Sequence, residues 1–579
     1  MHHLKYLNKF FWKYKQLFSL GIIFIVIANI FAIYPAEFVR NALDFVLESI
    51  NNEDKESLSN ELLKYGLLIV AFAILKGIFL YFMRQTIIVM SRKIEFDIKN
   101  EIFNKYQELS ISFYNENKIG DLMNRITEDV SRVRMYLGPT IMYAINITVL
   151  FSLVIAKMLS VSLNLTICVL FPLPILAISI YYVSSKINKK SEQVQAQLSE
   201  ITSISQETFS GIQIIKSFTN ENNSLNVFYN SCKEYTKKQI ELVKIEAVFI
   251  PLIITLIGLS TVLTIYVGGL EVFKGNISAG NIAEFIIYVN MLAWPVASIG
   301  WVTSLIQRAA ASQERINEFL KITPRIVNYN ERNTPIKGDI KFDNVQLIYK
   351  DTEISALNKL SFNIKEGETL GIFGKTGSGK STIANLICRI LESTEGNIYY
   401  NNISIKDLNL NNLRSSIGYI PQDGYLFSGT IKENIAFSSD VIDEKKIKIA
   451  ATKADIIDEI NKFPDGFNTI VGERGVQLSG GQRQRLAIAR AFYKDPDIYI
   501  FDDCLSAVDA NKEKEILNNL KIETQNKTTI IISHRIATLQ NADKIIVIDK
   551  GVLIDIGTHE ELSLKSGFYQ DIFKSQTEK

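Results

Sequence analysis

The chain has 579 residues, 63 basic against 61 acidic side chains and a formal net charge of +2, with a mean hydropathy of +0.11. That is too apolar for one soluble enzyme of ordinary composition and too long for one domain. The near-neutral balance argues against nucleic acid as a partner, and Cys168, Cys232, Cys388 and Cys504, without CxxC spacing, supply neither a metal-ligand pattern nor a disulfide framework.

Lys5, Lys9, Lys13 and Lys15 stand among aromatics before apolar sequence opens at Leu17 with no small-residue cleavage site. This predicts an uncleaved, amphipathic lead-in on the cytoplasmic side. Stretches near Leu17–Val39, Leu62–Met90, Leu137–Lys157, Val161–Val183, Ala247–Leu270 and Ile282–Ile306 are each long enough to cross ~30 Å of hydrocarbon at ~1.5 Å per residue. The third and fourth run together through Lys157–Asn164, so nothing in the hydropathy separates them. An even number of spans puts both termini on one side, and the basic residues Arg92, Lys93, Lys99, Lys105, Arg132 and Arg134 make that side the cytoplasm. The loops opposite, Asn51–Asn60 and Glu271–Asn281, are short and poor in Lys and Arg. The expectation is a multi-pass protein of the plasma or inner membrane, embedded in its lipid bilayer.

Two connections, Ser91–Tyr136 and Ser184–Glu246, are too long for turns. Ile94, Ile98, Ile102, Tyr106 and Leu109 recur at helical spacing, which predicts helices running on beyond the bilayer to touch something there. Within the second span, Lys76 carries a charge costing at least about 2.5–3.5 kcal/mol at a span's centre; it either lines a cavity or snorkels or pairs. Arg84 reads as an interfacial anchor. Pro172, Pro174 and Pro295 mark bends, moving or static, and Trp294 and Trp301 either meet an amphipathic substrate or pack. The His2-His3 pair carries no assigned role.

After Ile306 the sequence turns polar, and Pro324, Asn328, Asn330, Asn333 and Pro335 mark a linker. The domain bounds expected are 1–316 for the membrane part with its helical extensions, 317–337 for the linker and 338–579 for a second domain. There, short β-rich runs at Leu370–Phe373, Ile498–Phe501, Thr529–Ile532 and Ile545–Ile548 alternate with helical patterns, as in a parallel α/β sheet. The fold class expected is therefore an α-helical six-span transmembrane domain followed by an α/β P-loop nucleotide-binding domain.

Gly374, Lys375, Thr376, Gly377, Ser378, Gly379, Lys380 and Ser381 fit GxxxxGK[ST], directly after a predicted strand and ahead of a helical run from Thr382. The glycines let backbone N–H groups converge on phosphate oxygens at a helix N-terminus, Lys380 reaches the terminal phosphates, and the Ser381 hydroxyl ligates Mg²⁺. A chance match arises in about one random chain in fifty of this length. Asp502 ends the apolar strand Ile498-Tyr-Ile-Phe and is the carboxylate expected to hold the Mg²⁺. The cofactors expected are ATP and Mg²⁺.

Between these two motifs stands Leu478-Ser479-Gly480-Gly481-Gln482, followed by Arg483-Gln-Arg-Leu. This resembles the signature of ATP-binding cassette proteins, and other family motifs fall in the family's order. The resemblance implies that Tyr349 stacks on adenine, that Gln422 bridges Mg²⁺ and the membrane domain, and that His534 faces the γ-phosphate. Ser506-Ala-Val-Asp509 resembles the D-loop, and Gly472-Glu-Arg-Gly475 the short element that contacts membrane helices in exporters. Phe113-Tyr-Asn, Gly120-Asp-Leu and Arg125, then Glu207 with Gly211-Ile-Gln-Ile-Ile-Lys, resemble the coupling regions of exporter-type half-transporters. In this family a signature closes over ATP held by the other subunit, so the resemblance implies a head-to-tail dimer and ATP-driven transport.

One residue departs from the pattern. Active cassettes carry a glutamate after the Mg²⁺-holding aspartate; here it is Asp503. With His534 and the signature intact, the chain resembles the degenerate-site subunit of heterodimeric multidrug or lipid exporters, with a slow site of its own and a second half-transporter as partner. The resemblance implies export of an amphipathic or lipid-like substrate, whose identity the sequence does not specify; a homodimeric exporter and an exporter-fold importer, for example of siderophores, are the alternatives. A soluble DNA-associated ATPase would carry a coiled coil in place of the spans, and a peptide-processing exporter is expected to place a protease domain ahead of Leu17.

Overall fold

The computed structural model describes residues 2–49, 55–328, 330, 336, 338–349, 352–472, 477–505, 510–565 and 567–577. Part of the loop Asn51–Asn60, the linker residues Asn333 and Pro335, Glu473–Gly475 and the D-loop-like Ser506–Asp509 lie outside them. Contacts divide the chain into two compact units: Met1–Gln107 with Gly120–Ile322, and Glu108–Ile119 with Thr323–Lys579.

The first unit is built on long helices: α1 (Lys15–Ser49), α2 (Lys55–Glu108), α3 (Ile141–Val161), α4 (Pro172–Ser210), α5 (Glu221–Phe273) and α6 (Ala279–Leu320). Six helical runs are long and apolar enough to cross a membrane. At about 1.5 Å per residue, the 54 residues of α2 reach about 80 Å, well over twice the hydrocarbon thickness. The predicted extensions are thus continuous with the spans.

The third and fourth runs separate at one residue. Ser162 takes an extended conformation (φ −157°, ψ 120°) and its side chain caps the next helix, Leu163–Leu170, by accepting from Leu165 N at 3.3 Å. Hydropathy misses this break because a serine costs little in a hydropathy window, whereas its hydroxyl satisfies an orphan N–H that lipid could not. Ahead of α3, Arg125–Asp129 and Tyr136–Thr140 form two π-helical turns, the second containing Pro139.

Apolar packing centres on α1, α3, α4 and α6, with Ile33, Val154, Leu165, Leu176, Phe285 and Val289 buried together. The same helices share an ionic cluster. Lys157 Nζ lies 3.0 Å from Glu37 Oε2 and Arg40 Nη1 3.3 Å from Glu284 Oε2; buried Glu284 also accepts from Tyr288 Oη at 2.9 Å and Asn281 Nδ2 at 3.1 Å. Asp44 accepts from Ser278 Oγ at 2.6 Å and Gly280 N at 2.8 Å. A Cβ at Gly280 would stand 2.5 Å from Arg40 O, so α1 and α6 approach closely because that residue has no side chain.

α2 is different. Leu63, Leu67, Val70, Ile74 and Ile78 are exposed along it, and it meets α1 through rings: Phe24 with Phe79 and Phe82, Phe31 with Phe72 and Phe79, and Tyr34 and Phe38 with Phe72, all with centroids 5.1–6.1 Å apart. Lys76 has no ion pair or hydrogen bond among the described residues.

The second unit carries strands β1 (Ile340–Ile348), β2 (Ser355–Ile364), β3 (Thr369–Phe373), β4 (Glu395–Tyr400), β5 (Ile403–Ser404), β6 (Ile417–Ile420), β7 (Gly429–Thr430), β8 (Ile470–Val471), β9 (Ile498–Asp502), β10 (Thr528–Ser533), β11 (Lys544–Asp549) and β12 (Val552–Gly557). One sheet has the order β2-β1-β4-β5 and is antiparallel; a second has the order β12-β11-β3-β10-β9-β6 and is parallel except at β12; β7 and β8 pair by themselves. Every residue of β9 is buried, as an inner strand covered on both faces requires.

Candidate nucleotide site

Sheet register builds the site. Phe373 pairs with Ser533, and Ile532 with Asp502, so the chain leaves β3, β10 and β9 at the same edge. The residues that follow, Gly374, His534 and Asp503, therefore converge. Ligands of open α/β sheets bind at this carboxyl edge.

The loop after β3 turns through Gly377 (φ +80°) and Gly379 (φ +98°) into helix α7 (Lys380–Ile387). A Cβ on Gly379 would stand 2.4 Å from Ala356 O, and one on Gly374 would stand 2.4 Å from Ile548 O. Both positions exclude side chains, so the loop curls tightly against its neighbours. Lys380 folds back along it, donating from Nζ to Gly374 O and Lys375 O at 2.8 Å each. Burial depresses the Lys380 ammonium below its usual range, against the opposing pull of Asp503 and Asp502.

Ser381 Oγ donates to Asp502 Oδ1 at 2.9 Å, and Tyr419 Oη to Asp502 Oδ2 at 3.2 Å. Burial raises the Asp502 carboxyl above the ordinary carboxylate range despite those two bonds, and neighbouring Asp503 adds to the rise. A buried carboxylate touching a hydroxyl, with an amide oxygen available from Gln422 on the same cavity wall, is an all-oxygen set suited to a hard cation. Ser381, Gln422 and Asp502 fit Mg²⁺. Asp503 has its backbone in the left-handed region (φ +48°), with its N–H donating to Ile532 O at 2.9 Å. Its carboxylate oxygens lie 2.9 and 3.1 Å from His534 Nδ1.

These groups line a cavity of about 580 Å³ together with Tyr349, Thr376, Gly377, Gly379 and Thr382. Tyr349 stands on its wall, its Oη 3.2 Å from Thr382 Oγ1. Gly374, Lys375 and Ser378 belong to the loop but are not among the described residues lining the cavity: Lys375 Nζ sits 5.1 Å over the Phe568 ring, and Ser378 is buried. The structure adds Ile354, Ser355, Ala356 and Lys550 to the lining, none of which the sequence analysis selected. The turn Lys550-Gly551 between β11 and β12 was the available signal, because Gly551 N–H reaches Ser378 O at 3.1 Å and holds that hairpin beside the loop.

The signature residues Leu478–Gln482 do not line this cavity. Ser479 caps helix α9 (Gly480–Lys494), accepting from Gln482 N at 3.3 Å while Gln482 Oε1 accepts from Ser479 N at 2.9 Å. This capping box fixes the helix's first turn, with Gly480 and Gly481 in it.

Fold and site together define a membrane-embedded P-loop ATPase. Comparison with known proteins sharpens this: residues 18–296 match the ABC transporter transmembrane region family and residues 357–506 the ABC transporter family. The chain is 31% identical over 580 residues to the probable multidrug resistance ABC transporter ATP-binding/permease protein YheI of Bacillus subtilis, covering 99% of this chain and 97% of that one. It is 31% identical to the multidrug resistance-like ATP-binding protein MdlA of Escherichia coli (96% and 93% covered) and to the ATP-dependent lipid A-core flippase of Acinetobacter baylyi (92% and 92%). Its fold matches that of a bacterial Atm1-family ABC exporter with ATP bound, with a TM-score of 0.79 at 22% identity over 97% of this chain and 99% of that one. The chain belongs to the ABC transporter family. It is a multi-pass membrane protein with an ATP-binding domain, an ATPase coupled to transport, and ABC exporters act as dimers.

Proposed function

We propose that this chain is the slow-site half of a heterodimeric exporter in the plasma or inner membrane, with both termini and the ATP-binding domain in the cytoplasm. The observation that carries this reading is Asp503. Its carboxylate is one methylene, about 1.5 Å, shorter than the glutamate of active cassettes, and it rests on His534 at 2.9 Å. A carboxylate held there is short of the place from which it would orient water on the γ-phosphate, so ATP binds on the Lys380 loop and turns over slowly. The intact signature of this chain then serves the ATP of its partner, and Mg²⁺ held by Ser381, Gln422 and Asp502 supplies charge stabilisation of the phosphates.

The substrate we propose is amphipathic or lipid-like. A cavity of about 290 Å³ between α4 and α6 is lined by Tyr181, Ser184, Asn188, Thr303 and Gln307 among apolar groups, with no charged side chain among the described residues of its lining. The multidrug and lipid names of the relatives agree with that chemistry. ATP-dependent accumulation of a fluorescent short-chain phospholipid in inverted membrane vesicles tests direction and class together. Accumulation is the expected result, and ATP-dependent loss from preloaded vesicles would mean uptake into the cell instead.

A further inference from the structure

Away from the nucleotide cavity, Glu459 joins three elements. It lies in the short helix α8 (Ile457–Ile460). From α9, Arg485 Nη2 donates to both of its carboxylate oxygens at 2.6 Å. From the first turn of α10 (Ala510–Glu523), Lys512 Nζ donates to Oε1 at 2.6 Å and lies 3.6 Å from Asp455. Burial pushes the Glu459 carboxyl up, and its cationic partners Lys512 and Arg485 draw it below its usual range. Arg485 is 5% exposed and its Nε has no partner, so Glu459 is its acceptor among the described residues.

The contact with Arg485 matters for geometry. Arg485 stands on the turn of α9 that follows the Ser479–Gln482 capping box, so anchoring its guanidinium on Glu459 fixes how the helix presents Gly480 and Gly481. The same carboxylate, through Lys512, fixes the start of the helix directly after residues 506–509, the segment that resembles the D-loop. Two elements that the family pattern directs at the dimer interface are thus referenced to one oxygen pair.

We propose that Glu459 is a positioning residue for hydrolysis in trans: it holds the signature turn and the start of α10 in one register, so that the first turn of α9 meets the partner's nucleotide in the geometry that hydrolysis needs. The inference rests on the head-to-tail dimer proposed above. Glu459 is not among the described residues that line this chain's own nucleotide cavity.

The test uses the full assembly isolated through a tag on this chain, with Glu459→Gln, Lys512→Gln and, as a control on the dimer itself, Gly481→Asp. Vanadate-trapped 8-azido-ATP labelling of the other subunit and kcat should fall between about tenfold and a hundredfold in Glu459→Gln and Lys512→Gln, as a displacement of up to about 1 Å implies. KM for ATP and equilibrium labelling of this chain should not change. The double variant should be no worse than the worse single one, and Glu459→Asp should recover part of the rate. Lys512 is partly exposed, so its variant keeps the test available even where Glu459→Gln folds poorly. Normal kcat in folded Glu459→Gln or Lys512→Gln, or a loss that only follows a lowered melting temperature, overturns the inference. Unchanged trapping on the other subunit in Gly481→Asp overturns the head-to-tail reading, and this inference with it; an effective Gly481→Asp beside a silent Glu459→Gln overturns the inference alone.

Discussion

Replacing Asp503 by Glu adds one methylene at the position that decides whether this chain's site is slow. The gain and the cost can be weighed. A carboxylate about 1.5 Å short of the attacking water forfeits about a hundredfold in rate, equivalent to about 2.7 kcal/mol of barrier. Against this, Asp503 sits at φ +48°, a left-handed conformation that Asp tolerates and that costs longer side chains about 1–2 kcal/mol. The strain is the smaller quantity and falls on stability, so Asp503→Glu should raise trapping of 8-azido-ATP on this chain by between about tenfold and a hundredfold. It should also lower the melting temperature slightly and release His534 from its present contact. The assay is vanadate trapping in the tagged assembly, with the two subunits resolved on a gel, beside phosphate release from this chain purified alone. ATPase activity from the unmodified chain alone at rates typical of a transporter would refute the reasoning, as would unchanged trapping in a folded Asp503→Glu assembly.

Other substitutions read the rest of the site. Lys380→Ala removes a charged donor worth about 1.5–3 kcal/mol, so equilibrium labelling of this chain should fall between about tenfold and a hundredfold; normal labelling would remove Lys380 from the phosphate site. Tyr349→Ala should weaken ATP binding by about 1–3 kcal/mol if the ring stacks on adenine, which an ATP titration measures directly. Gly374→Ala places a Cβ 2.4 Å from Ile548 O and 2.5 Å from Ser378 Oγ; the crowding should cost about 1–3 kcal/mol, seen as a lower melting temperature and weakened nucleotide binding.

Much of this was legible because the chemistry is local in sequence. The strand ends Phe373, Asp502 and Ser533 were placed to within a residue, since apolar runs of that length flanked by Gly, Asp and His leave few alternatives, and parallel pairing then forces their loops together. The antiparallel sheet β2-β1-β4-β5 was not foreseen. Its strands alternate buried and exposed residues around bulges, as at Asn344 (φ +49°), and such broken alternation gives a weak periodic signal. In the membrane unit the reading singled out Lys76, a lone charge, and passed over Glu37, Arg40, Lys157 and Glu284, which lie far apart in sequence and acquire meaning through pairing. Lining by Lys550 and Ala356 likewise depends on a hairpin folding back over the phosphate loop, which no spacing rule encodes.

The two seams of α1 differ in mechanical kind. Toward α3 and α6 it is held by ion pairs and by the approach at Gly280, each with one partner and one register, so sliding by a turn would strand Glu284 in the interior. Toward α2 it is held by rings at interplanar angles from 17° to 83°, and aromatic pairs accept offset-stacked and edge-on geometries at similar energy. Such a contact resists separation, because every ring would lose its neighbour, yet yields to shear, because each ring finds another face or edge as it slides. Outside the ring-lined stretch the α1–α2 seam is keyed as well, since a Cβ on Gly21 would stand 2.4 Å from Ile87 Cγ1, so shear is tolerated where rings meet and resisted where Gly21 meets Ile87.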